Sequence, residues 1–248
     1  MKPTLIIDAD DTLWKAEVYY QQCIVDFGEL MVAHGFDRQE AEQTLDLVEI
    51  ERIPVTGYSP HAFAENLALA YRRLCQQHGR PAQREVEDQA QEIGQAVVAH
   101  PIELLPDVRE TLGQLGDRFH LLLLTKGDRQ VQRQKLTQSG LADLFDGVHI
   151  VAEKDADVFR DLIATYELHP ERTWMVGNSP KSDINPALEA GIGAIHIPQP
   201  VTWSLEQEEI ADPERVVVLD GFGALVGLFA NRAAMKEGKE HASLGNDT

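Results

Sequence analysis

Residues 4–14 read TLIIDADDTLW. The apolar run LII stops at three carboxylates, Asp8, Asp10 and Asp11, which are followed by the hydroxyl of Thr12. A short, continuous apolar run is typical of a strand that is buried on both faces of a parallel sheet. The stretch therefore predicts a central β-strand with a cluster of acidic side chains at its carboxyl end.

The composition of the whole chain limits the classes of partner. The 248 residues include 41 acidic and 22 basic side chains, for a formal net charge of −19, and 43% of the residues are hydrophobic. This hydrophobic share suits a folded protein with a core, whereas the negative charge disfavours nucleic acids and anionic membranes. No apolar stretch reaches the roughly 20 residues that span a bilayer, and the first residues lack a signal-peptide pattern. We therefore expect a cytoplasmic protein without a nucleic-acid or membrane partner.

Six short apolar runs predict strands, and helix-like stretches lie between the later ones. This alternation favours the α/β class, with a doubly wound, Rossmann-like parallel sheet. The predicted strands lie at residues 4–8, 119–125, 147–151, 172–178, 193–197 and 215–220.

Residues 15–98 have a different pattern, with apolar side chains at helical spacing and no convincing strand. A helical insert at this point would lie over the carboxyl ends of the strands, where open sheets of this class bind ligands. We therefore predict a helical cap over 15–98. The predicted core is discontinuous, from 1–14 and 99–235, and residues 236–248 form a polar, flexible tail.

Polar side chains follow four of the predicted strands. Because the carboxyl ends of parallel strands meet at one edge of the sheet, we expect these side chains to share one crevice. The candidates are Asp8, Asp10, Thr125, Lys154, Asn178, Ser179 and Asp183.

The order of these motifs resembles that of the haloacid dehalogenase superfamily, in its phosphatase branch. The motifs are DADDT at 8–12, Thr125, Lys154 and GNSPKSD at 177–183, and the helical insert lies where that superfamily carries its C1 cap. The resemblance implies hydrolysis of a small phosphorylated metabolite with Mg2+ as cofactor. The oligomeric state is left open.

The resemblance also implies a role for each motif residue. Asp8 is the nucleophile that forms an aspartyl-phosphate, and Asp10 is the general acid and base, which requires a raised pKa. Thr125 and Lys154 bind the phosphoryl oxygens. The implied metal ligands are Asp8, Asp10, Asn178 and Asp183, and the implied substrate-binding residues are Thr12, Lys126 and Gly127.

Electrostatics gives an independent reason to expect a metal ion. A carboxylate that attacks a phosphate dianion meets strong repulsion, since two like charges about 4 Å apart cost ~4 kcal/mol at an effective dielectric near 20. A hard divalent cation with oxygen ligands relieves this repulsion.

Two positions depart from the superfamily pattern. Asn178 stands where the superfamily usually has Asp, which removes one negative charge and predicts weaker Mg2+ binding. Lys126 stands where Asn is frequent. It either adds a second cation beside the phosphate or pairs with Asp128.

Two other functions remain open. A 2-haloacid dehalogenase would use Asp8 to displace halide, but halide leaves without a proton, so Asp10 argues against this reading. A phospho-accepting module without turnover, like a response-regulator receiver, also has an acidic cluster, a Thr and a Lys at strand ends. Such modules are about half this length, and their phosphorylated Asp follows a later strand.

Overall fold

A computed structural model describes residues 2–230, in which six strands form a single parallel sheet. The order of the strands is β3-β2-β1-β4-β5-β6. The predicted α/β class is confirmed, and each predicted strand is present within two residues of its expected bounds. The strands are β1 (Thr4–Ile7), β2 (His120–Lys126), β3 (Gly147–Val151), β4 (Thr173–Gly177), β5 (Gly193–His196) and β6 (Val216–Val218).

The sheet is buried on both faces because its strands are apolar at successive positions. In β1, Leu5 and Ile7 pack into one hydrophobic cluster, whereas Ile6 packs into another on the opposite face. The first cluster includes α5 (Val108–Gly116) and the second includes α7 (Ala156–Thr165). Alternate side chains of one strand therefore fix helices on both faces of the sheet.

The strand order reverses at β1. The chain passes from β1 to β2 and β3 on one side, then returns to add β4, β5 and β6 on the other. Loops that follow β1 and β4 diverge at such a point and leave a crevice at the carboxyl edge of the sheet. The acidic cluster after β1 lies at this crevice.

Five α-helices lie between β1 and β2, and the first four form a group apart from the sheet. These four have a hydrophobic cluster of their own, formed by residues between Tyr20 and Val97. We call these helices the helical insert; the assignment of 15–98 as a separate cap domain stays a prediction. The helices are α1 (Glu17–Ala33), α2 (Arg38–Thr56), α3 (Pro60–Gln77) and α4 (Arg84–Gln95).

The remaining helices connect the strands of the core. After α5, the chain has α6 (Arg129–Ser139) between β2 and β3 and α7 between β3 and β4. A π-helical turn, Pro180–Ile184, leads from β4 into α8 (Asn185–Glu189). The predicted tail, 236–248, and the end of the predicted core lie outside the described residues. Within residues 2–230, none of the helices is long and apolar enough to cross a membrane.

We expect Gly94→Ala to destabilise the helical insert. A Cβ at Gly94 would lie 2.5 Å from the Cα of Ala64, because α3 and α4 pack in close contact there. The strain should lower the free energy of unfolding by roughly 1–3 kcal/mol, measured by urea denaturation. Gly113→Ala, in α5, is the matched control, since nothing lies within 4 Å of its Cβ position and the expected change is a gain of about 0.5–1 kcal/mol. Equal effects of the two substitutions would contradict the close packing.

Candidate active site

A cavity lies at the carboxyl edge of the sheet, between the core and the helical insert. Side chains that follow β1, β2, β3 and β4 line it on the core side, and side chains of α1, α2 and α3 line it on the other. The insert is tied to the core beside the cavity, where the N–H of Asp128 donates to the carbonyl oxygen of Tyr58 over 3.0 Å.

A buried lysine joins two buried carboxylates at the base of this cavity. Lys154 Nζ lies 2.6 Å from Asp8 Oδ1 and 2.5 Å from Asp183 Oδ1, and all three residues are at most 5% exposed. The other oxygen of Asp183 accepts a hydrogen bond from the N–H of Ser179. Gly177, at the end of β4, makes room for Asp183, because a Cβ there would overlap its carboxylate.

Burial and the neighbouring charges shift the pKa of Asp8 and of Lys154. Burial is the main cause that raises the pKa of Asp8 to about 7; the Lys154 charge opposes this shift and Asp183 adds to it. Burial alone would lower the pKa of Lys154, but the charges of Asp183 and Asp8 outweigh it and raise the pKa. One lysine therefore compensates two carboxylates incompletely, and the base of the cavity favours an additional cation.

Thr12 and Asn178 lie beside Asp8 Oδ2, the carboxylate oxygen that does not contact Lys154. Thr12 Oγ1 is 3.0 Å from Asp8 Oδ2 and 3.3 Å from Asn178 Oδ1. Since a hydroxyl has a single hydrogen, it donates to one of these oxygens at a time. The structure thus brings the nucleophile candidate, Thr12 and Asn178 together, as the sequence predicted for neighbouring strand ends.

Thr125 lies at the end of β2 and is buried. Gln132, on α6, donates from Nε2 to Thr125 Oγ1, Lys126 O and Asp10 Oδ2, at 3.1, 2.8 and 2.8 Å. Gly127 follows with φ +123°, a conformation that side chains rarely adopt, and it lines the cavity. Gln132 therefore links the loops that follow β1 and β2.

The side chain of Asp10 is held away from the Asp8 group. Lys135 Nζ lies 2.9 Å from both of its oxygens, and Trp14 Nε1 donates to Oδ1 over 2.6 Å. The crowding of carboxylates predicted a raised pKa for Asp10, and this prediction is wrong. Burial acts in the expected direction, but the charge of Lys135 and hydrogen bonds from Lys135, Gln132 and Trp14 outweigh it and lower the pKa of Asp10.

Asp11 has a structural role in the loop after β1. Its φ is +58°, and its carboxylate accepts from the N–H groups of Ala16 and Glu17 at 2.9 Å each. These groups belong to the first turn of α1, which lacks another side-chain cap. Asp11 therefore fixes the point at which the chain leaves the core for the insert.

The side chain of Lys126 forms an ion pair with Glu206, a partner that the sequence did not suggest. Its Nζ lies 2.5 Å from Glu206 Oε1 and 2.9 Å from Ser182 Oγ, and 4.1 Å above the Tyr58 ring. Asp128, the partner weighed from the sequence, instead accepts from the N–H groups at the start of α6. Lys126 lines the cavity, but its charge is already compensated, and its role in substrate binding stays a prediction.

Glu206 comes from the segment after β5, far from any predicted motif. It is 9% exposed, and Ser179 Oγ and Ser182 Oγ both donate to its Oε2 over 2.6 Å. Burial alone would raise its pKa, but Lys126 and the two serines lower it. Glu206 thus joins the loops after β2 and β4 from outside them.

The oxygen atoms of Asp8, Asn178 and Asp183 suit a hard divalent cation in chemistry. The excess negative charge around Lys154, described above, favours one there. Asp10 was the fourth predicted ligand, and its carboxylate oxygens are instead bonded to Lys135, Trp14 and Gln132. Among residues 2–230, His, Cys, Asp and Glu side chains form no group of three that could hold a metal, so a site here depends on the amide oxygen of Asn178.

The sequence did not identify four further residues that line the cavity: Gln132, Lys135, Trp203 and Glu206. Lys135 and Gln132 lie on one face of α6, three residues apart, which was the available signal. Trp203 and Glu206 lie in a segment without regular strand or α-helix, where no periodicity identifies inward-facing residues.

Comparisons with known proteins identify the family of this chain. The family model of the haloacid dehalogenase-like hydrolases matches residues 2–191. Human N-acylneuraminate-9-phosphatase is 23% identical over 197 residues, which cover 77% of this chain and 79% of that protein. Phosphoserine phosphatase of Thermus thermophilus is 33% identical over 100 residues, 38% of this chain and 40% of that protein.

Solved structures share the fold over nearly the whole chain. A haloacid dehalogenase-like family hydrolase from Xanthomonas campestris has a TM-score of 0.75 at 28% identity, with 94% of this chain and 96% of that chain covered. L-2-haloacid dehalogenase from Xanthobacter autotrophicus has a TM-score of 0.59 at 18% identity, with 93% and 99% covered, and shares the fold. With the family match over most of its length, the chain belongs to the haloacid dehalogenase-like hydrolases and is an enzyme of that family.

Proposed function

We propose that this hydrolase is a Mg2+-dependent phosphatase that acts on a small phosphorylated metabolite through an aspartyl-phosphate on Asp8. The observation that carries the proposal is the buried carboxylate of Asp8, held between Lys154 and Thr12 and lining a cavity beneath the helical insert. The two phosphatases similar in sequence support the choice of a phosphate ester.

Asp8 acts as the nucleophile. An oxygen of its carboxylate attacks phosphorus, and the bond from phosphorus to the leaving-group oxygen breaks. Water then attacks the phosphorus of the aspartyl-phosphate, which releases inorganic phosphate and restores the carboxylate. Thr12, hydrogen-bonded to Oδ2, and Lys154, bonded to Oδ1, hold the plane of the attacking group.

Thr125, Lys154 and the backbone near Gly127 bind the phosphoryl oxygens. Lys154 is the buried cation that the developing charge meets, and Thr125 is kept in place by Gln132. Lys126 takes part in substrate binding when its contact with Glu206 is exchanged for one with the phosphate.

Asp10 acts as the general acid in the first step and as the general base in the second. It protonates the leaving alkoxide and then takes a proton from the water of the second step. In the present arrangement Lys135 keeps it ionised, so protonation requires that this ion pair separate. Movement of α6 or of the loop after β1 would achieve this.

Asp8, Asn178 and Asp183 are the residues that would hold Mg2+. When bound, the ion offsets the negative charges of the phosphate and of these carboxylates. Asp10 joins the set only if its side chain leaves Lys135.

The helical insert acts as a cap over the cavity and selects the leaving group. A 2-haloacid dehalogenase is the competing function, but it has no use for a proton carrier at Asp10, and the likeness to dehalogenase structures concerns the fold alone. The same proposal includes the absence of nucleic-acid and membrane partners, which is supported by the charge of −19, and a cytoplasmic location.

We expect Asp8→Asn to reduce turnover of p-nitrophenyl phosphate by at least about 10³-fold, because the amide is not a nucleophile. Asp157→Asn, on the exposed side of α7, is the control and should retain wild-type turnover. Circular dichroism melting curves check that both variants fold. Near-normal turnover in folded Asp8→Asn would refute the role of Asp8, and halide release from a 2-haloacid without phosphatase activity would favour the competing function.

The acid role of Asp10 predicts a dependence on the leaving group. Asp10→Asn should lower kcat/KM by about 10²–10⁴-fold for alkyl phosphates, whose alkoxide needs a proton. The loss should be much smaller for p-nitrophenyl phosphate, since nitrophenolate leaves unassisted. Steady-state kinetics on both substrates measure the difference, and equal losses would exclude Asp10 as the acid.

Asn178→Asp should tighten Mg2+ binding, on the order of 10-fold, because it adds a charge beside Asp8. Isothermal titration calorimetry with Mg2+ measures the dissociation constant directly. Asn185→Asp adds the same charge at a half-buried position, where the side chain of Asn185 donates to Glu208, and should leave the constant unchanged. If the two variants give the same constant, the charge argument fails.

A further inference from the structure

The cavity has a strong excess of negative charge. Eight carboxylates and three lysines line it. All three lysines come from the core, and each is already paired: Lys154 with Asp8 and Asp183, Lys135 with Asp10, and Lys126 with Glu206. The helical insert contributes no Lys, Arg or His to the lining. The insert adds two further glutamates to the lining, and it has no cation there that could offset them.

Two glutamates of the insert face the cavity without a cationic partner among residues 2–230. Glu49, on α2, is 6% exposed, and its hydrogen-bond partner is the neutral Trp203. Glu17, on α1, accepts from the neutral side-chain amide of Gln21 over 2.7 Å. Burial is the main cause that raises the pKa of Glu49 to about 8, and the nearby charge of Glu17 adds to it.

One polar atom of the insert that is buried beside the cavity lacks a hydrogen-bond partner. Asn66, on α3, is 2% exposed, and its Oδ1 has no hydrogen-bond partner although it lines the same cavity. A buried amide oxygen without a donor is unfavourable, and a ligand in the cavity with an N–H or O–H group could supply that donor. We call Glu17, Glu49 and Asn66, with the aromatic rings of Tyr20 and Phe63, the insert wall.

The rings of the insert wall add to its preference for cations. Tyr20 and Phe63 pack edge to face, with centroids 5.0 Å apart. Across the cavity mouth, Tyr58 packs against Trp203 at 5.9 Å. Aromatic faces attract a desolvated cation, as Tyr58 does for Lys126.

We propose that the insert wall binds a protonated amine on the leaving group, so that the substrates are phosphate monoesters of amino alcohols. This inference rests on the proposed phosphatase function. An ammonium group supplies positive charge to Glu17 and Glu49 and N–H donors to Asn66 at once. Hydroxyl groups would supply donors but no positive charge to favour the ionised forms of the buried Glu49 and the half-buried Glu17, and a carboxylate on the leaving group would be repelled.

Four substrates of similar size test the proposal with the full-length enzyme and Mg2+. They are 3-aminopropyl phosphate, its near-isostere n-butyl phosphate, glycerol phosphate and 4-phosphonooxybutanoate. We expect kcat/KM for the amine to exceed that for n-butyl phosphate by at least about 10-fold, mainly through KM, and the carboxylate to be the poorest substrate. Equal values for the amine and n-butyl phosphate, or a preference for glycerol phosphate, would overturn the inference.

Variants locate the preference. Glu49→Gln and Glu17→Gln should each reduce the ratio of kcat/KM between 3-aminopropyl and n-butyl phosphate by at least about 3-fold. Glu51→Gln, two residues further along α2 and exposed beside Arg73, is the matched control and should keep the wild-type ratio. An unchanged ratio in both cavity variants would overturn the inference, and if one variant fails to fold, the other and the wild-type ratio still decide it.

The failure of this inference differs from failure of the proposed function. If n-butyl phosphate is hydrolysed as well as the amine, the phosphatase function stands and the proposed binding of an amine is refuted. Absence of hydrolysis of all four esters and of p-nitrophenyl phosphate removes the proposed function itself.

Discussion

The placement of one buried ammonium group between two buried carboxylates is the constraint on which the site depends. Lys154 follows β3, Asp8 follows β1 and Asp183 lies in the turn after β4, so a single cation fixes three loops relative to one another. Removal of one partner from a buried ion pair costs about 3–5 kcal/mol, because a charge is left without compensation. Loops held in this way keep the Asp8 carboxylate in one orientation, which is what attack on a phosphorus atom requires.

The same principle organises the surrounding layer. Asp10 and Glu206 each have a lysine partner and neutral donors, and each joins a loop to an element outside it. These pairs compensate the charges of Asp10 and Glu206. At the base of the cavity, Asp8 and Asp183 share one lysine, so one negative charge there is left without a cation. The pairs of Asp10 and Glu206 also set a condition on the proposed catalysis: if Asp10 carries a proton and Lys126 binds phosphate, both must leave their ion pairs when substrate enters.

The sequence was sufficient for the fold and for the inner residues of the site. Continuous apolar runs identify strands buried on both faces, and a polar residue at a strand end has few places to point, so Asp8, Thr125 and Lys154 could be brought together on topology alone. The partners of Asp10 and Lys126 could not, because they depend on the rotation of α6 and on the path of an irregular segment through Glu206. Lys126 illustrates the limit: the nearby Asp128 is used by the backbone of α6, and a residue 80 positions away takes its place.

The division of charge between the two sides of the cavity suggests how reaction and selectivity are separated. The core side carries lysines and hydroxyls that suit a phosphate, a group that all phosphomonoesters share. The insert side carries carboxylates, an amide and rings, and meets the part of the substrate that differs between esters. Because function is determined by such sites rather than by the fold, a change of a few side chains on α1, α2 or α3 would alter the leaving group while the ion pairs beneath it stayed intact. Glu49 illustrates this separation, since it is buried on the insert side of the cavity, accepts a hydrogen bond from the neutral Trp203 and has no cationic partner among residues 2–230.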